Sequence, residues 1–260
     1  MYKNILSYLE EKALVYPDKT AFADENTAIT FHNLQIQAQR IGTVLSKSIA
    51  VRNPVALFME KSVAAMAGFM GTVYAGCFYV MLDTKHPINR IDAIFKILDS
   101  KILLTDEKHY EQAKALGFDG EILRIEELVT EEIDEGYLAE IRAQTLDIDP
   151  LYAIFTSGST GVPKGVVVSH RSTIDFIDCF TQTFHITSME IIGNQAPFDF
   201  DVSVKDIYSG LATGATVQII PRSYFSFPTK LMDFLCERNV TTLIWAVSAL
   251  CFVTTMKGLE

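Results

Sequence analysis

The residues best suited to chemistry in this sequence lie together in one short loop, from Thr156 to Gly165. The loop holds three glycines, four side-chain hydroxyls and one lysine, Lys164. Glycines let backbone N–H groups turn toward an anion, hydroxyls add donors, and a lysine ammonium supplies compact positive charge. A flexible turn would account for the glycines but not for the lysine and the hydroxyls. The loop therefore predicts a binding site for the phosphates of a nucleotide.

The spacing within this loop excludes the commoner phosphate-binding and nucleophile motifs. Pro163 precedes Lys164 and Gly165 follows it, so the loop lacks the GxxxxGK[ST] pattern of a P-loop. It also lacks the GxGxxG pattern, and neither Ser157 nor Ser159 stands in a GxSxG nucleophile elbow. A serine hydrolase is therefore unsupported.

The loop is flanked by apolar strands and belongs to a longer alternating series. From Pro54 onward, strand-like apolar runs alternate with helical patterns, which predicts a parallel sheet with helices on both faces. A helix over Ser172–Phe184 follows the loop, and 126–150 is expected to be a charged surface connection. The predicted strands of this series are Val55–Phe58, Phe78–Leu82, Ile102–Thr105, Ile122–Ile125, Tyr152–Phe155 and Gly165–Val168.

The two ends of the chain predict further strands and helices. Thr30 is placed as the N-cap of a helix whose apolar residues recur on one face. The other predicted elements are a helix over Asn4–Ala13 and strands at Ala21–Asp24, Ala28–Thr30, near Ile191, at Ala215–Ile220 and at Thr241–Val247.

Charge is distributed unevenly along the chain, whose net charge is −10. Residues 99–150 contain 15 acidic and 5 basic side chains, and this difference alone equals −10. Nucleic-acid binding relies mainly on basic contacts to phosphate, so no nucleic acid is expected as a partner. The acidic stretch is expected to be a solvated surface.

Several features indicate a folded protein of the reducing cytoplasm. Hydrophobic residues make up 49% of the chain, and the amino end has no signal-peptide core. The uncharged stretches Ser62–Leu82 and Val240–Met256 are interrupted by glycines or by threonines and a serine, so no membrane span is expected. Neither a zinc pattern nor a disulfide framework is indicated by the four cysteines, Cys77, Cys179, Cys236 and Cys251.

The segment Tyr152–Gly165 resembles the phosphate-loop motif of the adenylate-forming (AMP-binding) superfamily almost residue for residue. Three other blocks resemble that superfamily in order and spacing, although Met81 stands where proline is usual and Asn33 where glutamate is usual. The region around Asp201 is most similar to amino-acid adenylation domains of D-alanine–carrier protein ligases and nonribosomal peptide synthetases. The blocks are Thr30–Leu34, Ala75–Asp83 with Pro87 and Arg90, and Asn194–Thr216.

The resemblance implies an α/β fold of parallel sheets flanked by helices in two stacked subdomains. Residues 1–260 would form the N-terminal part of an AMP-binding (adenylation) domain. Residues of about 51–188 would form the first α/β subdomain, which carries the phosphate loop. Residues of about 1–50 and 189–260 would form part of the second.

The resemblance also implies a reaction. The parent enzyme would use ATP and Mg²⁺ to activate an amino acid as its aminoacyl-adenylate, and would pass the aminoacyl group to the phosphopantetheine thiol of a carrier protein. Two alternatives stay open, an acyl-CoA or fatty-acid ligase and a non-catalytic binding fragment. The family's later magnesium, ribose and lysine motifs lie beyond Glu260, so this chain alone is expected to be inactive.

The resemblance assigns the ATP phosphates to the loop, with Lys164 as the catalytic cation. It assigns the substrate's α-ammonium group to Asp201, whose alternative is a surface or helix-capping role. Lys205 either extends to solvent or holds an acidic substrate side chain. The phosphate-binding residues would be Thr156, Ser157, Gly158, Ser159, Thr160, Gly161 and Lys164, and the substrate-binding residues Phe200, Asp201, Val202 and Lys205.

Overall fold

The computed structural model describes residues 2–157 and 162–255. Its strands are β1 Thr20–Ala23, β2 Ala28–Thr30, β3 Pro54–Phe58, β4 Phe78–Leu82, β5 Ile102–Thr105, β6 Glu121–Arg124, β7 Pro150–Ser157, β8 Pro163–Ser169, β9 Ile191–Asn194 and β10 Thr216–Ile219. Its α-helices are α1 Leu6–Val15, α2 Phe31–Ser48, α3 Val63–Tyr74, α4 Ile88–Leu98, α5 Tyr110–Lys114, α6 Ile125–Leu128, α7 Glu135–Gln144, α8 His170–Thr183, α9 Val202–Thr213, α10 Pro228–Glu237 and α11 Val247–Thr255. Short 3₁₀ turns cover Glu107–His109 and Arg222–Ser226.

The larger sheet has the strand order β6-β5-β3-β4-β7-β8 within the described residues. All its neighbours pair in parallel except β7 and β8, which form an antiparallel hairpin around the phosphate loop. Successive residues of β3 enter opposite cores, since Val55 and Leu57 pack with α2 and α3 while Ala56 and Phe58 pack with α4 and α5. Burial on both faces explains why these strands are continuous apolar runs.

The smaller sheet joins the two ends of the chain, with the strand order β2-β1-β10-β9. Strand β1 pairs in parallel with β10, and β10 with β9, whereas β1 and β2 form an antiparallel hairpin. The predicted α/β class with two helix-flanked sheets is therefore confirmed. The subdomain boundaries near 51 and 188 remain a prediction.

Helices α2 and α3 pack unusually close together between the sheets. A methyl group added at Gly42 would lie 2.5 Å from Tyr74 Cβ, and one added at Gly71 would lie 2.4 Å from Ile41 Cγ2. Each helix thus contributes a glycine where the other helix approaches. The N-caps of both helices are supplied by hydroxyls, with Thr30 Oγ1 accepting from Asn33 N–H at 3.2 Å as predicted, and Ser62 Oγ accepting from Ala65 N–H.

One predicted element was wrong. Thr241–Val247 is not a strand, because only Thr242 forms a β-bridge, to Ile192, and helix α11 begins at Val247. The charged surface connection predicted over 126–150 contains the end of α6 and all of α7. Asp134 caps α7, and the helix buries two apolar residues among its charges, Leu138 and Ile141.

No helix within residues 2–157 and 162–255 is long and apolar enough to cross a membrane. The uncharged stretch that begins at Ser62 divides into the 12-residue helix α3 and the strand β4.

Replacing Gly71 by alanine should destabilise the chain by about 1–3 kcal/mol, because the new methyl group would overlap Ile41. Gly136→Ala in α7 is the matched control. A Cβ there meets only Asp134 Oδ1, at 3.7 Å, so alanine should stabilise the chain by about 0.4–1 kcal/mol through the unfolded state. Urea unfolding of both variants gives the two free energies. An unchanged stability for Gly71→Ala would contradict the close packing of α2 and α3.

Candidate active site

The β7–β8 hairpin holds the two ends of the phosphate loop in register. Thr156 lies opposite Lys164, and Ser157 lies opposite Pro163. Strand β7 runs parallel to β4, so the loop leaves the carboxyl edge of the larger sheet, where ligands of open α/β sheets bind. Four predicted phosphate-binding residues lie outside the described residues: Gly158, Ser159, Thr160 and Gly161.

The hairpin is attached to α4 close to the loop. Arg90 Nη2 donates a hydrogen bond to the Phe155 carbonyl at 3.1 Å. A methyl group on Gly165 would lie 3.1 Å from the Phe155 ring, so glycine lets this ring pack across the hairpin. Lys164 is exposed, and its ammonium makes no ion pair with any side chain of 2–157 or 162–255. Its charge is thus available to an anion.

The predicted substrate residues lie together at the start of helix α9. Phe200, Asp201 and Val202 are all exposed there. Asp201 occupies the N-cap position, but its side chain accepts no capping hydrogen bond. The arrangement leaves a carboxylate without a structural partner in the helix.

Helix α9 is joined to the strand that leads to the loop through a row of tyrosines. One face of α9 carries Asp201 and, seven residues later, Tyr208, whose hydroxyl lies 2.7 Å from that of Tyr79 in β4. Tyr79 stacks in turn on Tyr152 of β7, with ring centroids 5.8 Å apart. Burial, with a smaller contribution from the Asp201 charge, raises the pKa of Tyr152 to about 12. Thr156 follows Tyr152 by four residues, or roughly 13 Å of extended strand.

Lys205 makes a contact that the sequence did not predict. Its ammonium lies 2.8 Å from Asp206 Oδ1, and only 13% of the Lys205 side chain is exposed. The other oxygen of Asp206 accepts a hydrogen bond from Asn194 Nδ2 at 3.0 Å. Asp206 and Asn194 are both buried, and burial raises the pKa of Asp206.

Asn194 also bonds to a lysine from the other sheet. Lys61, which follows β3, lies 3.2 Å from Asn194 Oδ1 and 3.0 Å from the Gln195 carbonyl. Burial lowers the pKa of Lys61 to about 7, against the opposing charge of Asp206. Lys61, Asn194, Asp206 and Lys205 form one hydrogen-bonded chain, which we call the lysine network.

A cavity of about 420 Å³ opens beside the lysine network, where strands of both sheets end. Its wall carries charges of both signs, as expected for a polar ligand site. The residues that line it at or just after strand ends are Asp24, Met59, Asp83, Asp106, Gln195 and Ile219.

Three metal-type side chains meet at the edge of this cavity. Asp83, His86 and Asp199 each place one ligand atom within 4.8 Å of the others. Both oxygens of Asp83 already accept hydrogen bonds, one from Lys85 N–H at 2.9 Å and one from Arg222 Nη1 at 2.8 Å. Mg²⁺ prefers an octahedral set of oxygens. This group therefore does not fit the magnesium ion that the sequence implied.

The fold is an α/β fold with a polar cavity at its strand ends, and the comparison with known families shows which family has it. A family model described as AMP-binding enzyme matches residues 9–257. The chain belongs to this AMP-binding enzyme family.

The similar proteins include a synthase and a carrier protein ligase. Tyrocidine synthase 1 of Brevibacillus parabrevis is 28% identical over 242 residues, which are 93% of this chain and 22% of that protein. A D-alanine–D-alanyl carrier protein ligase of Staphylococcus aureus is 30% identical over 243 residues, 93% of this chain and 47% of the ligase. The N-terminal subdomain of Klebsiella oxytoca NpsA has the same fold, with a TM-score of 0.85 at 20% identity, over 99% of this chain and 65% of that one. The chain thus spans less than half the length of tyrocidine synthase 1 and of the D-alanine–D-alanyl carrier protein ligase.

The sequence analysis did not identify Lys61, its hydrogen-bond partner Asn194, or Asp206 as residues of the site. A charged residue three positions after the buried strand β3 was the available signal for Lys61, because strand ends face the site in parallel sheets. Nothing local distinguishes Asp206 from other helical aspartates, since its role depends on burial.

Asp201→Ala should change the free energy of unfolding of the chain by less than about 0.5 kcal/mol, because the side chain is exposed and caps nothing. Asp134 is the matched control, since its carboxylate accepts from Tyr137 N–H at 3.0 Å. Asp134→Ala should cost about 0.5–2 kcal/mol. Urea unfolding of both variants measures the difference. Equal losses would assign Asp201 a structural role.

Proposed function

We propose that the protein containing this chain activates an amino acid with ATP, as an aminoacyl-adenylate, and transfers the aminoacyl group to a carrier-protein thiol. The observation that carries the proposal is that two charged side chains, Asp201 and Lys164, form no ion pair with the described residues. The Asp201 charge contributes to the raised pKa of Tyr152 in β7, and Lys164 lies at the loop end of the β7–β8 hairpin, opposite Thr156. A cationic amino group and a polyphosphate are the ligands that these charges select.

In the first step, a carboxylate oxygen of the amino acid attacks the α-phosphorus of ATP. The bond between that phosphorus and the oxygen bridging to the β-phosphate breaks, and pyrophosphate leaves with the electron pair. Lys164, with Thr156 and the rest of the loop, would stabilise the charge that develops on the leaving group. Magnesium, which this chemistry implies, would supply charge neutralisation for the ATP phosphates.

Asp201 would hold the α-ammonium group of the amino acid while its carboxylate reaches toward the loop. A charge-assisted hydrogen bond in a partly dry site fixes orientation and discriminates against acids without an amino group. The Tyr152–Thr156 stretch, roughly 13 Å long, is a span that an amino acid joined to three phosphates can bridge.

In the second step, the sulfur of a phosphopantetheine thiol attacks the adenylate's carbonyl carbon. The thiol proton is lost, a thioester forms, and AMP leaves. The carrier protein is proposed from the D-alanyl carrier protein ligase that this chain resembles.

Lys205 bears on which amino acid is accepted. Its ammonium is already paired with Asp206 in a largely buried position, so freeing it for an acidic substrate would leave Asp206 buried with less compensation. We therefore favour a substrate with a neutral side chain over aspartate or glutamate.

Lys164→Ala in the parent enzyme should lower the rate of amino-acid-dependent ATP–pyrophosphate exchange on the order of a hundredfold. The lost charge-assisted contact is worth roughly 2–4 kcal/mol in the transition state. Lys47→Ala removes another exposed lysine, at the end of α2, and should leave the rate unchanged. If both variants exchange at the wild-type rate, the loop does not bind the phosphates.

Asp201→Ala in the parent enzyme should lower kcat/KM for the amino acid on the order of a hundredfold or more. The KM for ATP should stay within about threefold, because the carboxylate is remote from the phosphates. Pyrophosphate exchange across both stereochemical series of amino acids, together with fatty and aryl acids, measures these changes and the preference for neutral side chains. Asp134→Ala serves as the control for folding.

A panel in which only fatty or aryl acids support exchange would overturn the amino-acid assignment. A preference for aspartate or glutamate would overturn only the argument from Lys205.

A further inference from the structure

We infer that Lys61 is a positioning residue, which holds the segment bearing Asp201 through the lysine network. The inference rests on the proposed function, because it takes Asp201 as the group that binds the substrate's amino group. It concerns a residue of the larger sheet that has no direct contact with Asp201 among the hydrogen bonds of the described residues.

The Lys61 ammonium is surrounded by oxygens from a single short segment. Besides its contacts to Asn194 Oδ1 and the Gln195 carbonyl, it lies 3.3 Å from the Asn194 carbonyl and 3.5 Å from that of Ala196. An ammonium has three N–H donors, so these four oxygens share them. One side chain thus gathers three consecutive residues just past the end of β9.

The carbonyls of this segment depend on Lys61. The Asn194 carbonyl also accepts from Ile220 N–H at 3.2 Å. Within 2–157 and 162–255, Lys61 is the one donor that bonds to the carbonyls of Gln195 and Ala196. Buried backbone carbonyls without a donor are unfavourable, and Ala196 is 5% exposed. Removing the ammonium should therefore make this segment move toward solvent.

The segment leads directly to Asp201 and is closed into a loop, because Asn194 at its start is bonded to the helix that follows Asp201. Asn194 is tied to α9 through Asp206, while Lys61 ties the same asparagine to β3. Within this loop, Phe198 packs against Phe69 of α3, with ring centroids 5.7 Å apart. A closed loop with one interior anchor leaves Asp201 few alternative positions.

The first test measures exchange kinetics of the parent enzyme. Lys61→Met should raise the KM for the amino acid about tenfold or more, with the KM for ATP within about twofold, because only the ammonium-binding side is displaced. Lys61→Arg keeps the charge and the donors, and should restore the amino-acid KM to within about threefold of wild type.

Lys96→Met is the matched control for the first test. Lys96 does not line the cavity, is 72% exposed and pairs with Asp92 at 2.7 Å. Both KM values should stay unchanged in this variant. Equal rises in the KM for ATP and for the amino acid in Lys61→Met, or no rise in either, would overturn the inference.

The second test uses the 260-residue chain and does not require activity. Hydrogen exchange of the backbone amides of 198–204 should be faster in Lys61→Gln than in wild type, while β3 amides keep their protection. Unchanged exchange in 198–204 would overturn the inference. A parent enzyme without any amino-acid-dependent ATP–pyrophosphate exchange would overturn the proposed function instead. Hydrogen exchange of the 198–204 amides would still decide the role of Lys61.

Discussion

The complete burial of helix α3 is the constraint on which the rest of the structure depends. Every residue of α3 except Ala64 is buried, and a helix that is apolar on all sides must be covered on all sides. Helix α2 covers one side at close range, because Gly42 and Gly71 remove the side chains that would separate the two helices. Strands β1, β3 and β4 cover the others. The two sheets cannot separate without exposing α3, so their relative position is set by this helix.

That fixed position brings the carboxyl ends of strands from both sheets to one cavity. Polar and charged residues follow the buried strands there because the chain leaves the apolar core at those points. The network that joins Lys61, Asn194, Asp206 and Lys205 crosses between the sheets at the same place. A buried charge is unfavourable alone, but a connected set of donors and acceptors offsets much of the desolvation.

The two kinds of lysine in this site have opposite environments. Lys61 and Lys205 are engaged by oxygens of the protein itself, and burial lowers the pKa of Lys61 to about 7. Lys164 is exposed on the hairpin. The first two lysines are paired within the fold, whereas Lys164 forms no ion pair with the described residues. The proposed function requires this division, because catalysis by preorganised charge needs supporting groups that are satisfied before the substrate arrives.

Local features of the sequence determined the secondary structure and the phosphate loop. Apolar runs predicted β3, β4 and β5, and Thr30 predicted the start of α2, because periodicity and capping act between residues close in sequence. The predicted strand at Thr241–Val247 was wrong, because a strand also needs a neighbouring strand to pair with, and only Thr242 forms such a pair.

The tertiary structure alone decided which charges are engaged. Lys61 meets Asn194 across a separation of 133 residues, and no local pattern encodes such a partner. Lys205 and Asp206 are adjacent in the sequence, yet their pairing follows from the burial of α9, which removes water as the competing partner. Asp201 remains exposed because it precedes the part of the helix that packs. Residue types determined what this site can bind, and packing determined which of those residues are free to bind it.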